Sequence, residues 1–114
     1  MVLGHRAEDA AASWYATHGY VVVARNWRCA QGEIDILCTG RNPSGGTILV
    51  VCEVKARSSN SHGHPLEAVT TTKQRRLRRL AAAYATASPL FFTAIRFDVA
   101  SLLGADFSVI EGAF

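Results

Sequence analysis

Four charged side chains lie within two apolar stretches of the sequence that have the composition of strands. GEIDILCT carries Glu33 and Asp35, and TILVVCEVKA carries Glu53 and Lys55. Because a buried, unpaired charge is costly, charges in such strands need partners. Facing carboxylates are hard oxygen ligands of the kind that suit Mg²⁺ or Mn²⁺. The pattern therefore indicates a divalent metal site built from two strands.

The segment between the two stretches predicts how these charges face one another. GRNPSGG, residues 40–46, is dense in turn-forming residues, which predicts an antiparallel hairpin. With the turn centred on this segment, Asp35 lies opposite Glu53, and Glu33 lies opposite the lysine. All four side chains then share one face, with facing Cβ atoms ~5 Å apart. The alternative to metal binding is a cross-strand salt bridge between Glu33 and Lys55 on a solvated face.

The rest of the sequence predicts an α/β fold with a mixed central sheet flanked by helices, in the order α-β-β-β-α-β-β. The predicted elements are a helix over 3–18, strands over 20–28, 33–39 and 47–56, a helix over 66–87, and strands over 93–100 and 106–112. With 49% hydrophobic and 18% charged residues, the composition is that of a folded protein. The length suits one domain over residues 1–114.

Composition and charge restrict the class of protein. The chain has 12 lysine and arginine residues against 9 acidic ones, which gives a net charge of +3 and a pI of about 9.0. A mildly basic chain favours an acidic partner, and nucleic acid is one such partner. The sequence contains neither 18 consecutive apolar residues nor a secretory leader. We therefore expect a cytoplasmic protein without a membrane partner.

The motifs of the chain resemble those of a known family. A helix bearing Glu8 is followed by GEIDIL, by a strand ending in CEVKARSS, by GHPLEAVTTTKQRRLRRLAAAY and by RFDV. In this order and spacing they are similar to the YraN-like family of small bacterial proteins. That family is assigned to the PD-(D/E)XK nuclease superfamily and is similar in fold to archaeal Holliday junction resolvases. The resemblance covers nearly the whole chain and implies a restriction-endonuclease-like core.

The resemblance implies a role for four side chains. Asp35 and Glu53 correspond to the acids that bind a divalent metal, and Lys55 corresponds to the lysine that orients or activates the attacking water. Glu8 corresponds to the first-helix acid that often lies beside the metal. The superfamily's proline before the strand acid is Ile34 here, a change that removes no ligand.

The implied function is that of an Mg²⁺- or Mn²⁺-dependent endonuclease that hydrolyses DNA phosphodiester bonds. Branched or structured DNA, in repair or recombination, is the implied substrate, and a homodimer follows by analogy with the resolvases. The alternative is a non-cleaving nucleic-acid-binding module of nuclease ancestry. A structural protein that binds an acidic partner is a third reading.

Basic residues of the second predicted helix are candidates for contacting the nucleic-acid backbone. Lys73 falls inside the apolar arc of that helix, so we expect it to extend towards substrate phosphate or the acidic residues. Arginines at 75, 78 and 79 point outward and 76 flanks them, as either a phosphate-binding stripe or a solvated face. The candidates are Lys73, Arg75, Arg76, Arg79, and Arg57 and Ser58 at the strand end. Asp98 is expected to pair with Arg96 in a structural role.

Overall fold

The computed structural model describes residues 3–57 and 64–114, which form two α-helices, five strands and a short 3₁₀ turn. The helices are α1 (Leu3–Thr17) and α2 (Thr71–Ala87), and the turn is Pro65–Ala68. The strands are β1 (Val21–Cys29), β2 (Gly32–Arg41), β3 (Thr47–Arg57), β4 (Ala94–Leu103) and β5 (Asp106–Ile110). The predicted order of elements is confirmed.

The five strands form one mixed sheet in the order β1-β2-β3-β4-β5. Strand β3 runs parallel to β4, and the other neighbours are antiparallel. A parallel pair needs a long connection, and the segment containing α2 supplies it. This arrangement confirms the predicted mixed α/β sheet and is compatible with a restriction-endonuclease-like core. No helix in the described part of the chain is long and apolar enough to cross a membrane.

Each helix covers an apolar cluster on the sheet. The buried members of the α2-side core are Ile34, Leu37, Leu49, Val51, Val69, Leu77, Leu80, Ala81, Phe97 and Val99. The buried members of the α1-side core are Ala11, Tyr15, Ile36, Cys38, Ile48, Val50, Cys52 and Ala100. Because both faces of the central strands are covered, those strands are apolar on both sides. Polar side chains within them therefore need specific partners.

The second helix begins later than predicted. Residues 65–68 form a 3₁₀ turn, and the α-helix starts only at Thr71. The side-chain oxygen of Thr70 accepts a hydrogen bond from the Lys73 amide at 3.2 Å, which caps the helix. The predicted helix extended across this cap because the prediction used only the spacing of apolar residues. The later start places Lys73 in the first helical turn.

Asp98 is fully buried and ties α1 to the sheet and to the C-terminal segment. Its carboxylate accepts hydrogen bonds from the Tyr15 hydroxyl at 2.7 Å and from the Gly112 amide at 3.0 Å. Arg96 donates to both carboxylate oxygens at 2.8 Å, as expected. Asp98 therefore fixes the helix that carries Glu8.

A candidate metal centre at a strand fork

The candidate site lies where β2 and β3 separate. Their backbone pairing has the predicted register and extends to Ile36 and Cys52. Beyond this pair, β2 continues along β1 to Gly32, whereas β3 continues along β4 to Arg57. We call the resulting opening, between residues 33–35 and 53–55, the strand fork.

Two carboxyl groups meet in the strand fork. The Val54 amide donates a hydrogen bond to Asp35 Oδ2 at 2.8 Å, so Asp35 replaces the backbone acceptor that the separated strands no longer supply. The carboxyl groups of Asp35 and Glu53 are close enough for each to shift the pKa of the other. The Glu53 side chain is only 12% exposed. The two acids are therefore neighbours, although the backbone pairing of β2 with β3 ends at Ile36 and Cys52.

The environment of the two acids favours one proton between them. Burial, together with the interaction and charge of Glu53, raises the pKa of Asp35 from 3.8 to about 8, although the Val54 hydrogen bond acts to lower it. Burial also acts to raise the pKa of Glu53, but the Asp35 hydrogen bond and the charges of Lys55 and Lys73 outweigh it, so that pKa is lowered. Without a cation, the raised pKa of Asp35 makes it the group of the pair that holds a proton more readily, and the lowered pKa of Glu53 keeps that carboxylate ionised.

Two lysines share one oxygen of Glu53. Lys55 Nζ lies 3.4 Å and Lys73 Nζ 3.5 Å from Glu53 Oε2. Burial and the neighbouring Lys73 lower the pKa of Lys55, with Glu53 acting against them. The pKa of Lys73 is raised, chiefly by its interaction with Lys55, against a smaller effect of burial. The fork thus contains one ammonium that is poorly solvated and one that is firmly charged.

The predicted proximity of Glu33 to Lys55 is wrong. Glu33 Oε2 instead lies 2.9 Å from Arg28 Nε, on the opposite neighbour β1. The fork separates β2 from β3 at this level, and Arg28 is the cross-strand partner of Glu33 in β1. Glu33 is therefore part of a surface ion pair and not of the acidic pair.

A third acid reaches towards the fork from α1. Glu8 is 16% exposed, and its charge contributes to the raised pKa of Asp35. Glu8 Oε1 accepts a hydrogen bond from Asn26 Nδ2 at 3.1 Å and lies 3.8 Å from Arg25 Nη2. The sequence reasoning missed Asn26, although a lone asparagine in the apolar stretch YVVVARNWR was a usable signal.

The predicted basic residues do not form one uniform stripe. Arg75, Arg76 and Arg79 are exposed on α2, and the stem of Arg76 passes over Gly32, where a β carbon would lie 3.4 Å from Cδ. The Arg78 guanidinium stacks over the Phe97 ring at 4.7 Å, which assigns it to packing. Arg57, two residues after the fork lysine, ends β3. Ser58 lies outside the described residues.

The acids of the fork suit a small divalent cation. Mg²⁺ is commonly held by one or two carboxylates, several waters and substrate phosphate oxygens, and Asp35 and Glu53 supply two such carboxylates. Within 3–57 and 64–114, no three His, Cys, Asp or Glu side chains are already grouped as a metal cage. A cation held by Asp35 and Glu53 would compete with the proton on the pair, and Glu8 is the third acid whose charge reaches Asp35.

This proton gives the metal-free protein a specific pH dependence. The folded pKa of Asp35 is raised above its unfolded value, so the contribution of Asp35 to the free energy of unfolding falls as pH rises from about 4 to about 8. Urea unfolding in EDTA should show a steeper fall with pH for wild type than for Asp35→Asn. Stabilisation by Mn²⁺ should increase with pH, since protons compete with the cation. Equal pH slopes for the two proteins would contradict the assignment.

Comparison with known proteins identifies the family. The profile described as "Uncharacterised protein family UPF0102" matches residues 7–102. A UPF0102 protein of Leifsonia xyli subsp. xyli is 45% identical over 103 residues, covering 90% of this chain and 83% of the relative. UPF0102 proteins of Clavibacter michiganensis subsp. michiganensis and Chlorobium phaeobacteroides are 46% and 42% identical, over 89% and 93% of this chain and 81% and 80% of the relatives. The chain therefore belongs to UPF0102, the YraN-like family that its motifs resemble.

Proposed function

We propose that this chain is a metal-dependent endonuclease that hydrolyses phosphodiester bonds of DNA in the cytoplasm. The observation that carries the proposal is the largely buried, mutually interacting carboxyl pair of Asp35 and Glu53, with Lys55 Nζ 3.4 Å from Glu53 Oε2. Two carboxylates this close repel each other unless a proton or a cation lies between them, so such a pair does little to stabilise a fold. Strongly perturbed carboxyl groups at an opening in the fold are typical of functional sites.

Each residue of the fork has a distinct part in the proposed reaction. Asp35 and Glu53 would hold a divalent ion, which would supply Lewis-acid polarisation of a phosphoryl oxygen and lower the pKa of a bound water. Lys55 positions the attacking water and offsets the charge that develops on the phosphorane. Glu8 orients the ligand shell from α1. Lys73, which reaches the fork from α2, would bind a phosphate oxygen of the substrate.

The exposed arginines of α2 support binding of a nucleic-acid backbone. Arg75, Arg76 and Arg79 lie on the helix whose first turn brings Lys73 to the fork. Arg57, at the end of β3, extends the basic surface from the other side. Phosphate contacts of this kind position a duplex without reading its sequence, which suits a substrate recognised by shape. We propose branched or structured DNA as the substrate and a homodimer as the acting form for two-fold symmetric junctions.

Reversing the charge of two arginines should weaken DNA binding in a salt-dependent way. Arg75→Glu with Arg79→Glu should flatten the slope of log affinity against log salt concentration by about 1 unit for each lost phosphate contact. The measurement is fluorescence anisotropy of a labelled junction at several salt concentrations. Arg41→Glu is the matched control, because Arg41 lies at the other end of β2, about 20 Å along the strand from Asp35. Identical slopes for the double variant and wild type would show that these arginines lie on a solvated face and do not contact phosphate.

A non-cleaving nucleic-acid-binding module is the second candidate. It is favoured by the two ammonium groups at Glu53, which balance the acid without a cation. Against it, a pure binder gains nothing from acids that face an anionic ligand. The two candidates differ in one observable, which is metal-dependent cleavage.

The experiment that tests the proposal compares wild type with Asp35→Asn on a panel of labelled DNAs. The panel contains four-way junctions, flaps, single strands and duplexes, each with Mg²⁺, with Mn²⁺ or with EDTA. Wild type should cut branched DNA only with metal, and the variant should cut at least about 100-fold more slowly. Salt-sensitive binding by wild type without cleavage of any substrate would establish the binding module instead.

A further inference from the structure

Asn26, in the edge strand β1, has a backbone conformation that few residues adopt. Its φ is 52°, and it is the single non-glycine residue with positive φ in the described ranges. In the register of β1 with β2, Asn26 is level with Asp35. The left-handed region is unfavourable for most L residues, and asparagine tolerates it better than others. The unusual conformation therefore occurs beside the fork.

This conformation coincides with a change of face in both strands. Ala24 and Trp27 of β1 pack against the α2-side core although they are three positions apart, and Ile34 and Leu37 of β2 do the same. In regular strands, residues three positions apart point to opposite faces. Both strands therefore change face at the level of Asn26, and its side chain is directed to the side that α1 covers.

The side chain of Asn26 holds the acid of α1. Asn26 Nδ2 donates to Glu8 Oε1 at 3.1 Å, whereas Arg25 Nη2 is 3.8 Å from the same oxygen. That guanidinium is bound more closely by Asp9, at 2.7 Å. The nearest donor to Glu8 is thus a neutral amide, which fixes the carboxylate without neutralising its charge. Hydrogen bonds of this kind commonly orient carboxylates that bind metal ions.

We propose that Asn26 is a positioning residue that holds the Glu8 carboxylate towards Asp35, so that the first helix completes the metal site. This inference rests on the metal site of the proposed function. Glycine would adopt the left-handed conformation with less strain, so the backbone alone does not require asparagine. The amide supplies what glycine lacks, a donor aimed at Glu8. Strain of this kind is characteristic of functional sites.

The test measures Mn²⁺ affinity, from the electron paramagnetic resonance signal of free Mn²⁺, for wild type, Asn26→Gly, Glu8→Gln and the double variant. Asn26→Gly fits the backbone and removes the amide, and it should weaken Mn²⁺ binding by about 10- to 100-fold, the range for side chains that orient a metal ligand. The double variant should bind Mn²⁺ no more weakly than Glu8→Gln alone, because both changes disrupt the same contact between Asn26 and Glu8. Asn42→Gly is the control, because Asn42 follows β2 at the end opposite the strand fork, and it should bind Mn²⁺ as wild type does.

The outcomes separate this inference from the function on which it rests. Wild type without bound Mn²⁺ would overturn the metal site itself, and the role of Asn26 with it. Wild-type affinity in Asn26→Gly, or independent effects of Asn26→Gly and Glu8→Gln, would overturn the positioning role alone. Urea unfolding in EDTA gives a second readout, in which the same two changes should be non-additive because they share one hydrogen bond.

Discussion

Replacing Lys55 with alanine should lower metal-dependent cleavage of DNA by about 100-fold or more while leaving DNA affinity nearly unchanged. The expected loss is that of one preorganised electrostatic group beside a developing phosphorane. Shortening Lys55 to alanine removes no part of a buried apolar cluster, so the variant should keep the wild-type fold. Single-turnover cleavage of a labelled junction and anisotropy binding, measured on the same samples, separate the chemical step from affinity.

Lys73→Ala is the matched control for this substitution. Both lysines lie within 3.5 Å of Glu53 Oε2, but Lys73 is the firmly charged one and reaches the fork from a helix. Its removal should weaken binding more than Lys55→Ala does and slow the chemical step less. Excess Mn²⁺ should partly rescue Asp35→Asn and should not rescue Lys55→Ala. If both lysine variants cut as wild type does, Lys55 has no catalytic part.

Asp98→Ala should destabilise the fold by about 3 to 5 kcal/mol, the cost of breaking a buried charge pair. The substitution leaves the Arg96 guanidinium, 22% exposed, without its main partner and frees the Tyr15 hydroxyl in the α1-side core. Domains of this kind are stable by only about 5 to 15 kcal/mol, so the variant should approach unfolding. Urea denaturation monitored by tryptophan fluorescence measures the loss.

Glu111→Ala provides the comparison for Asp98. Glu111 is 48% exposed and lies 3.3 Å from the same guanidinium, so its removal should cost less than about 1 kcal/mol. Equal losses in the free energy of unfolding for the two substitutions would show that the burial of Asp98 does not determine how much it stabilises the fold. Since Tyr15 and Glu8 share α1, Asp98→Ala should also weaken Mn²⁺ binding.

The main features of the fold could be predicted because the local sequence patterns and the tertiary packing favour the same helices and strands. The turn-forming residues of 40–46 determine the hairpin register, and the apolar run of β3 predicts a central strand. The start of α2 could not be predicted in the same way. Pro65 and Thr70 are both acceptable helix starts, and Val69 packs in the α2-side core between a 3₁₀ turn and the true cap. Tertiary contacts decided between two local signals of similar strength.

The site was predictable in part for the same reason. Asp35 and Glu53 are neighbours because the hairpin register places both of them where β2 and β3 begin to separate. The partner of Glu33 was not predictable, because side-chain alternation assumes that β2 and β3 stay paired to their ends. The role of Asn26 depends on a left-handed residue within a strand, and strand patterns in a sequence do not reveal such a residue.

The central claim is that Asp35 and Glu53 bind a divalent ion between them. A crystal soaked in Mn²⁺ at pH 8, measured at a wavelength that gives anomalous signal from manganese, tests it most directly. The account predicts an anomalous peak about 2.0 to 2.3 Å from one oxygen of each carboxylate, with Lys73 Nζ moved away from its position 3.5 Å from Glu53 Oε2. Saturating Mn²⁺ with no peak in the strand fork, and with both lysines still in contact with Glu53 Oε2, would contradict it.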